Sequence, residues 1–141
     1  MPLRLVTIAQ NIQDQSRLEA SGKLIPEAWK AITTLNTGWV NFDVAGFNNP
    51  QYRKDPFGRV WLRGGIKQTV PGSVAQSALL LTLPAGYRPN NAYIATVASI
   101  NGSSVVSVGA LIVQPNGEVQ AYTTNLHGTF VSLDGVTFGV A

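Results

Sequence analysis

The sequence contains no cysteine, a single histidine and few charged residues. Without cysteine the chain forms no disulfide and offers no thiolate to a metal ion. Charged residues make up 12% of the chain, about half of the usual quarter, which argues against a disordered polyelectrolyte and against a long coiled coil. No stretch approaches the ~18 consecutive apolar residues of a membrane span, and the N-terminus lacks the apolar run of a signal peptide. We therefore expect no membrane insertion.

The positive charge is also thinly spread. The net charge of +3 comes from ten basic residues distributed between Arg4 and Arg88. Their one local cluster consists of Arg53, Lys54, Arg59 and Arg63. A nucleic-acid surface needs clustered cations that track phosphates. We expect no nucleic-acid partner.

The chain is long enough for one domain, and its second part predicts an all-β fold. After Gly38, short runs rich in β-branched and aromatic residues alternate with turn signals such as Asn101-Gly102 and Asn116-Gly117. Their spacing is typical of a β-sandwich or a small barrel. The predicted strands span residues 39–42, 51–54, 59–67, 78–83, 93–99, 105–114, 118–123, 129–132 and 136–140.

The first part of the chain has a different pattern. Residues 9–20 contain strong helix formers, and residues 26–35 place apolar side chains at spacings of three and four. Both stretches are too short to be stable alone. We therefore predict a helical N-terminal anchor or oligomerisation segment at residues 1–37 and a β domain at residues 38–141. The expected anchor contacts are Leu5, Ile8, Ile12, Leu18, Trp29 and Ile32.

Sequence motifs of known enzyme classes are nearly absent. His127 stands alone, so a multi-histidine zinc site is not expected, and no Gly-x-Ser-x-Gly elbow or phosphate-binding loop occurs. A pair of carboxylates assembled from distant positions is the remaining enzymatic alternative. We predict a protein that is not an enzyme and that uses no metal and no cofactor.

Binding residues are easier to nominate. Trp61 lies on the polar side of a predicted strand between two arginines, where it could serve a glycan, a partner chain or a subunit interface. Aromatic faces stack on sugar rings, while amide and imidazole groups bond hydroxyls. The saccharide-binding candidates are Trp61, Tyr122, Asn125 and His127.

Five phrases in order carry a resemblance to a known family. They are residues 38–42 (GWVNF), 51–55 (QYRKD), 58–64 (GRVWLRG), 83–89 (LPAGYRP) and 131–138 (VSLDGVTF). Together they resemble the C-terminal domain of bacteriophage tail-fibre, baseplate and other virion appendage proteins, over residues 38–141. The small-residue stretch 72–78 departs from that pattern.

The resemblance implies a fold, an assembly and a function. It implies a compact antiparallel, jelly-roll-like β-sandwich, here with a short helical N-terminal segment, that forms a homotrimer.

The expected function is non-catalytic attachment of a phage particle to a host-surface saccharide. The alternative is a structural capsid or baseplate decoration protein, or a head fibre, anchored by residues 1–37. Either role implies other virion proteins as partners and a location in the virion, after assembly in the host cytoplasm. The short segment before residue 38 favours a small appendage over a long fibre.

Overall fold

The computed structural model describes residues 25–140, which form two antiparallel sheets and contain no helix. No segment among these residues is therefore a helix able to cross a membrane. The strands are β1 (Lys30–Ala31), β2 (Trp39–Asn41), β3 (Gln51–Lys54), β4 (Arg59–Arg63), β5 (Gly65–Gln68), β6 (Leu79–Thr82), β7 (Tyr93–Ile100), β8 (Val106–Val113), β9 (Glu118–Ala121), β10 (Phe130–Ser132) and β11 (Thr137–Gly139). The predicted all-β fold is confirmed.

The two sheets share one core. The smaller sheet has the order β1-β3-β4-β11 and the larger one the order β2-β5-β10-β7-β8-β9-β6. Val60, Leu62 and Phe138 from the smaller sheet belong to the same buried cluster as Val97 and Leu111 from the larger one. Strands with one buried face show alternating burial, as β7 and β9 do. Each of these strands therefore has one side toward the core and one side away from it.

All nine predicted strand segments contain strands, but residues 59–67 form two strands rather than one. The chain leaves the smaller sheet after Arg63 and enters the larger sheet at Gly65. Gly64 makes this transfer with a φ of +97°, a conformation that residues with a Cβ rarely adopt. Its N–H donates to Asp134 Oδ1 at 2.8 Å. This corner between the two sheets, at Gly64, fixes the position at which β4 ends.

The predicted helix at residues 26–35 is wrong. The stretch is extended: β1 pairs with β3, and Leu35 forms a bridge with Leu81. The backbone N–H of Ile32 donates to the carbonyl of Pro50 at 2.9 Å. Consecutive β-branched residues 32–34 favour such an extended chain, and the free edge of β3 supplies its partner. The predicted helix at residues 9–20, with Leu5, Ile8, Ile12 and Leu18, lies outside the described residues.

The chain that enters β1 is fastened by Glu27. Its carboxylate accepts hydrogen bonds from the Tyr87 hydroxyl at 2.9–3.0 Å and from the Lys54 backbone N–H at 2.9 Å. Lys30 Nζ lies 3.4 Å from the carboxylate and donates to the Tyr87 hydroxyl at 2.7 Å. Partial burial raises the pKa of Glu27, but these hydrogen bonds and the Lys30 charge outweigh it and lower the pKa overall. Glu27 is held as an anion that ties this segment to the β fold.

These contacts correct two expectations about the anchor. The boundary at residue 38 does not separate residues 30–35 from the β fold, because they add a strand to the smaller sheet. Ile32 is buried in the core of its own chain and is not available to a sister chain or a virion protein. Trp29 is half-buried against the outer face of the smaller sheet.

The unassigned stretch 72–78 lies along the 121–128 segment of the larger sheet. Its Val74 is buried, and the Val74 N–H donates to the Leu126 carbonyl at 2.9 Å. Ser77 N–H donates to the Ala121 carbonyl at 2.7 Å, and Ser73 bridges with His127. The stretch therefore covers the chain that carries three of the four predicted binding residues.

Candidate functional site

Trp61 points outward from β4, as the alternation of its strand predicts. Its neighbours Val60 and Leu62 are buried, whereas Trp61 is 36% exposed. The indole Nε1–H donates to Asp55 Oδ2 at 3.1 Å, and Asp55 Oδ1 accepts the backbone N–H groups of Phe57 and Arg59. The ring is therefore held in place while part of it remains open to solvent.

The hydrogen bonds to Asp55 also set its charge. Burial raises the pKa of this carboxyl, but the Trp61 indole, the two backbone N–H donors and the Arg59 charge lower it overall. Asp55 is thus an anion already occupied by hydrogen bonds from its own hairpin. It serves to position Trp61.

Trp61 belongs to a row of residues that crosses the smaller sheet. The strand register places Arg53 opposite Trp61, and Thr137 on its other side. Continuing the β1–β3 register by one residue places Trp29 opposite Arg53. We call the outward side chains of Trp29, Arg53, Trp61, Arg63 and Thr137 the Trp–Arg face.

Two arginines of this face pack on one indole ring. The guanidinium carbons of Arg53 and Arg63 lie 4.3 and 4.2 Å from the ring centre of Trp29. Both distances are within the range of favourable cation–π contacts. Arg63 Nε also donates to Gln51 Oε1 at 2.7 Å. The Trp29 ring and the Gln51 amide therefore orient the guanidinium groups. Neither carries a negative charge that would neutralise them.

The Trp–Arg face has charge and polar atoms left over. Among residues 25–140, Lys30 and Glu27 form an ion pair with an N–O distance within 4.0 Å. Neither Arg53 nor Arg63 forms an ion pair with any of these residues. Arg53 Nε and Thr137 Oγ1 are buried and have no hydrogen-bond partner within the part of the chain that the structure describes. Buried polar atoms of this kind are costly when unpaired and commonly find a partner in a ligand or in water. The face is therefore equipped to accept a polar molecule.

The other three predicted binding residues lie on the larger sheet, in the loop after β9. Tyr122 is exposed, and its backbone N–H donates to the Ala110 carbonyl. Asn125 Nδ2 donates to the Val108 carbonyl at 3.4 Å, and its own carbonyl accepts the Ser107 hydroxyl at 2.8 Å. His127 Nδ1 accepts the Thr129 N–H at 3.2 Å. These three residues share one loop, whereas Trp61 lies on the outer face of the opposite sheet.

The outer face of the β7–β8 hairpin is apolar. Cross-strand pairing aligns its outward residues in four pairs. The pairs are Ile94 with Ile112, Thr96 with Ala110, Ala98 with Val108, and Ile100 with Val106. Ile94, Val106 and Val108 are 52–62% exposed, and the face, which we call the hairpin face, contains no charged residue. Such a surface is typical of a contact with another protein chain.

A groove of about 610 Å³ lies beside β2 and is separate from both faces. Trp39 and Ile32 supply apolar lining, and Asp43 and Lys67 supply charge. Within residues 25–140 no three His, Asp or Glu side chains gather as metal ligands would.

The sequence pattern identified Trp61 but not the residues around it. The alternation in residues 59–63 correctly placed Trp61 and its flanking arginines on one side of β4. It could not place Trp29 beside Arg53, because this contact depends on long-range strand pairing. Thr137 carried no signal at all, since a threonine in a strand is ordinary.

Together these features define an all-β domain of two antiparallel sheets, with one aromatic, basic outer face and one apolar outer face. The fold is similar to that of the head domain of phage bIL170, a receptor-binding domain of a lactococcal phage. The TM-score is 0.51 and the identity 17%, over 80% of this chain and 97% of that one. No protein-family model and no curated protein matches the sequence.

Proposed function

We propose that this chain is the head of a phage virion protein that attaches the particle to its host by non-catalytic binding of a surface saccharide. The supporting fold likeness is to a phage receptor-binding head domain and spans nearly all of that domain. The observation that carries saccharide binding is the outward indole of Trp61, oriented by Asp55 and flanked by arginine donors. The protein would act in the virion.

The Trp–Arg face has the chemistry of a sugar site. A partly exposed indole offers an apolar surface to the C–H groups of a sugar ring, and guanidinium groups donate to its hydroxyls. The site is a sheet surface rather than a deep pocket, so each contact should be weak. Several heads on one particle would then raise the avidity by linking many weak sites.

Replacing Trp61 by Ala tests this function. We expect adsorption of purified protein to host cells to fall at least tenfold, because truncating an aromatic anchor commonly costs about 2 kcal/mol or more of binding. The matched control is Phe57→Ala, which removes an aromatic ring that is 81% exposed on the same hairpin. Flow cytometry of labelled protein on host cells measures both. Unchanged adsorption of the folded Trp61→Ala variant would contradict the proposal.

Tyr122→Ala separates the two candidate surfaces. If the 122–129 loop were the saccharide site, this variant and the Asn125→Ala and His127→Ala variants would lose adsorption while Trp61→Ala kept it. The same assay also tests the structural alternative, a capsid or baseplate decoration protein. The apolar hairpin face favours this alternative, because it could contact other proteins of the virion. A decoration protein would bind empty capsids and ignore host cells.

We further propose that the hairpin face joins three copies of the chain in a homotrimer. Cores of subunit interfaces are apolar and depleted in charge, as this face is. In a closed three-fold assembly each copy would bury the same apolar residues. Trimerisation would also set three Trp–Arg faces around one axis.

The Val108→Glu variant tests the assembly. We expect it to sediment as a monomer, because a carboxylate buried in an apolar interface without a partner is strongly disfavoured. The parent should sediment at three times its chain mass of 15.0 kDa. Val70→Glu is the control, since Val70 is 83% exposed and lies outside the hairpin face. A parent that is monomeric at micromolar concentration, or a trimeric Val108→Glu variant, would refute this assembly.

A further inference from the structure

We infer that the Trp–Arg face binds an anionic saccharide, in which a sugar ring lies on Trp61 and a phosphate or carboxylate group lies at Arg53 and Arg63. The inference rests on the proposed function and adds the charge of the ligand. It depends on the two arginine side chains of this face, whose positive charge a neutral sugar would leave uncompensated.

The two arginines form a ready anion site. The guanidinium carbons lie 4.3 and 4.2 Å from the Trp29 ring centre, so the two positive charges are no more than about 8.5 Å apart. The nearby carboxylate of Asp55 is occupied by Trp61 and two backbone donors. A guanidinium fork matches the geometry of phosphate and carboxylate oxygens, and such charge-assisted bonds are about twice as strong as neutral ones. An arriving anion would relieve the repulsion between the two cations.

The strand register places the sugar platform beside that anion site. Trp61 and Arg53 lie directly opposite each other on neighbouring strands, where side chains begin about 5 Å apart. Arg63 lies two residues along β4 on the same side, which corresponds to about 7 Å. A single charged sugar unit could therefore contact Trp61 and both arginines.

The unpaired atoms flank Trp61 on both sides. Arg53 Nε provides an unused donor on one neighbouring strand, and Thr137 Oγ1 provides an unused hydroxyl on the other. Both atoms are covered in the structure, so a sugar hydroxyl on a ligand lying on Trp61 could bond to them once the Arg53 and Thr137 side chains shift.

The compactness of the site favours a saccharide over a nucleic acid. Nucleic-acid surfaces usually extend their cations along several phosphates. Here Arg53 and Arg63 converge on a single ring, and no cation occurs after Arg88 in the sequence. A single anionic group suits this arrangement.

The test is titration of the full chain with four probes: N-acetylglucosamine 1-phosphate, glucuronic acid, neutral N-acetylglucosamine and inorganic phosphate. Calorimetry and tryptophan fluorescence report binding. We expect at least one charged sugar to bind about tenfold more tightly than both the neutral sugar and inorganic phosphate, because it uses Trp61 and the arginines together. Comparing the first two probes distinguishes phosphate from carboxylate as the preferred group.

Variants assign the binding to this face. Arg53→Gln and Arg63→Gln should each weaken binding of the charged sugar about tenfold, and Trp61→Ala should weaken binding of both charged and neutral sugars. Lys67→Gln is the charge-matched control, because it removes one positive charge from the larger sheet, and it should leave binding unchanged. Arg53 also packs on Trp29, so a thermal unfolding curve accompanies each variant. Arg63→Gln provides the test if Arg53→Gln unfolds.

Several results would overturn the inference. Equal affinity for neutral and charged sugars would do so, as would inorganic phosphate binding as tightly as the sugar phosphate. Tighter binding of a single-stranded DNA oligonucleotide would assign the face to nucleic acid. If host adsorption needs Trp61 but neither arginine, the charge assignment fails and the proposed function stands. If the protein neither adsorbs to cells nor binds any sugar, both fail.

Discussion

Replacing Gly64 by Ala is expected to destabilise the domain by about 3–5 kcal/mol, which combines a left-handed backbone penalty with steric overpacking. Gly64 has a φ of +97° at the corner between the sheets. A Cβ there would overlap the backbone carbonyl of Asn49 and lie 2.8 Å from the Pro50 nitrogen. Backbone atoms cannot swing aside as the end of a long side chain can. The midpoint of urea unfolding measures the loss.

Gly86→Ala is the matched control for this variant. Gly86 has nearly the same φ, +89°, but no atom lies within 4 Å of a Cβ placed there. It should lose only the backbone penalty of about 1–2 kcal/mol. Equal losses at the two glycines would show that the close approach at Gly64 costs nothing.

The corner at Gly64 also bears on ligand binding. Its carbonyl accepts the Leu133 N–H, and its N–H donates to Asp134, so the end of β4 is fixed from both sides. Arg63 immediately precedes it in the chain. A distorted corner should therefore weaken sugar binding even where the Gly64→Ala variant remains folded.

The β strands could be predicted because their signals are local. Alternating burial in β7 and β9 follows from alternating residue types, and Asn116-Gly117 places a turn before β9. The helix prediction for residues 26–35 failed for the opposite reason. Their apolar spacing fits a helix, but pairing with β3 and burial of Ile32 make an extended chain more stable than an isolated short helix. Such pairing joins residues far apart in the chain, and no local pattern reports it.

The candidate site shows the same limit. Period-two alternation tells which residues of a strand share a side, and on that basis Trp61 was placed correctly. It does not tell which sheet a strand joins. The sequence pattern therefore groups Trp61 with Tyr122, Asn125 and His127, although Trp61 lies on the outer face of the smaller sheet and the other three residues lie in the loop after β9 of the larger sheet. A saccharide site that included all four residues would need a ligand in contact with both sheets.

The predicted phage resemblance agrees with the structural comparison at the level of the fold. The phrase at residues 58–64 falls on β4 and the corner after it, and the phrase at residues 131–138 falls on β10, β11 and the turn that links them across the two sheets. These segments contribute Trp61, Arg63 and Thr137 to the Trp–Arg face. The phrases that resemble a phage appendage domain thus also supply part of the Trp–Arg face.

Replacing Ile32 by Ala is expected to destabilise the β domain by about 2–4 kcal/mol, the usual cost of removing a buried Ile side chain. Ile32 is 5% exposed and packs in the shared core, so its loss leaves a cavity. The control is Thr33→Ala, an exposed neighbour on the same extended segment, which should change stability little. Thermal or urea unfolding measures both variants.

This result separates a structural role from an anchoring role for residues 25–35. A core residue changes the unfolding midpoint in the isolated protein, whatever its oligomeric state. An anchor residue would instead leave the midpoint unchanged and lower the mass in sedimentation or the amount incorporated into particles. An Ile32→Ala variant with parent stability but impaired assembly would show that this side chain contacts another chain. We expect the first outcome, because β1 and Leu35 on either side of Ile32 are both paired within the same fold.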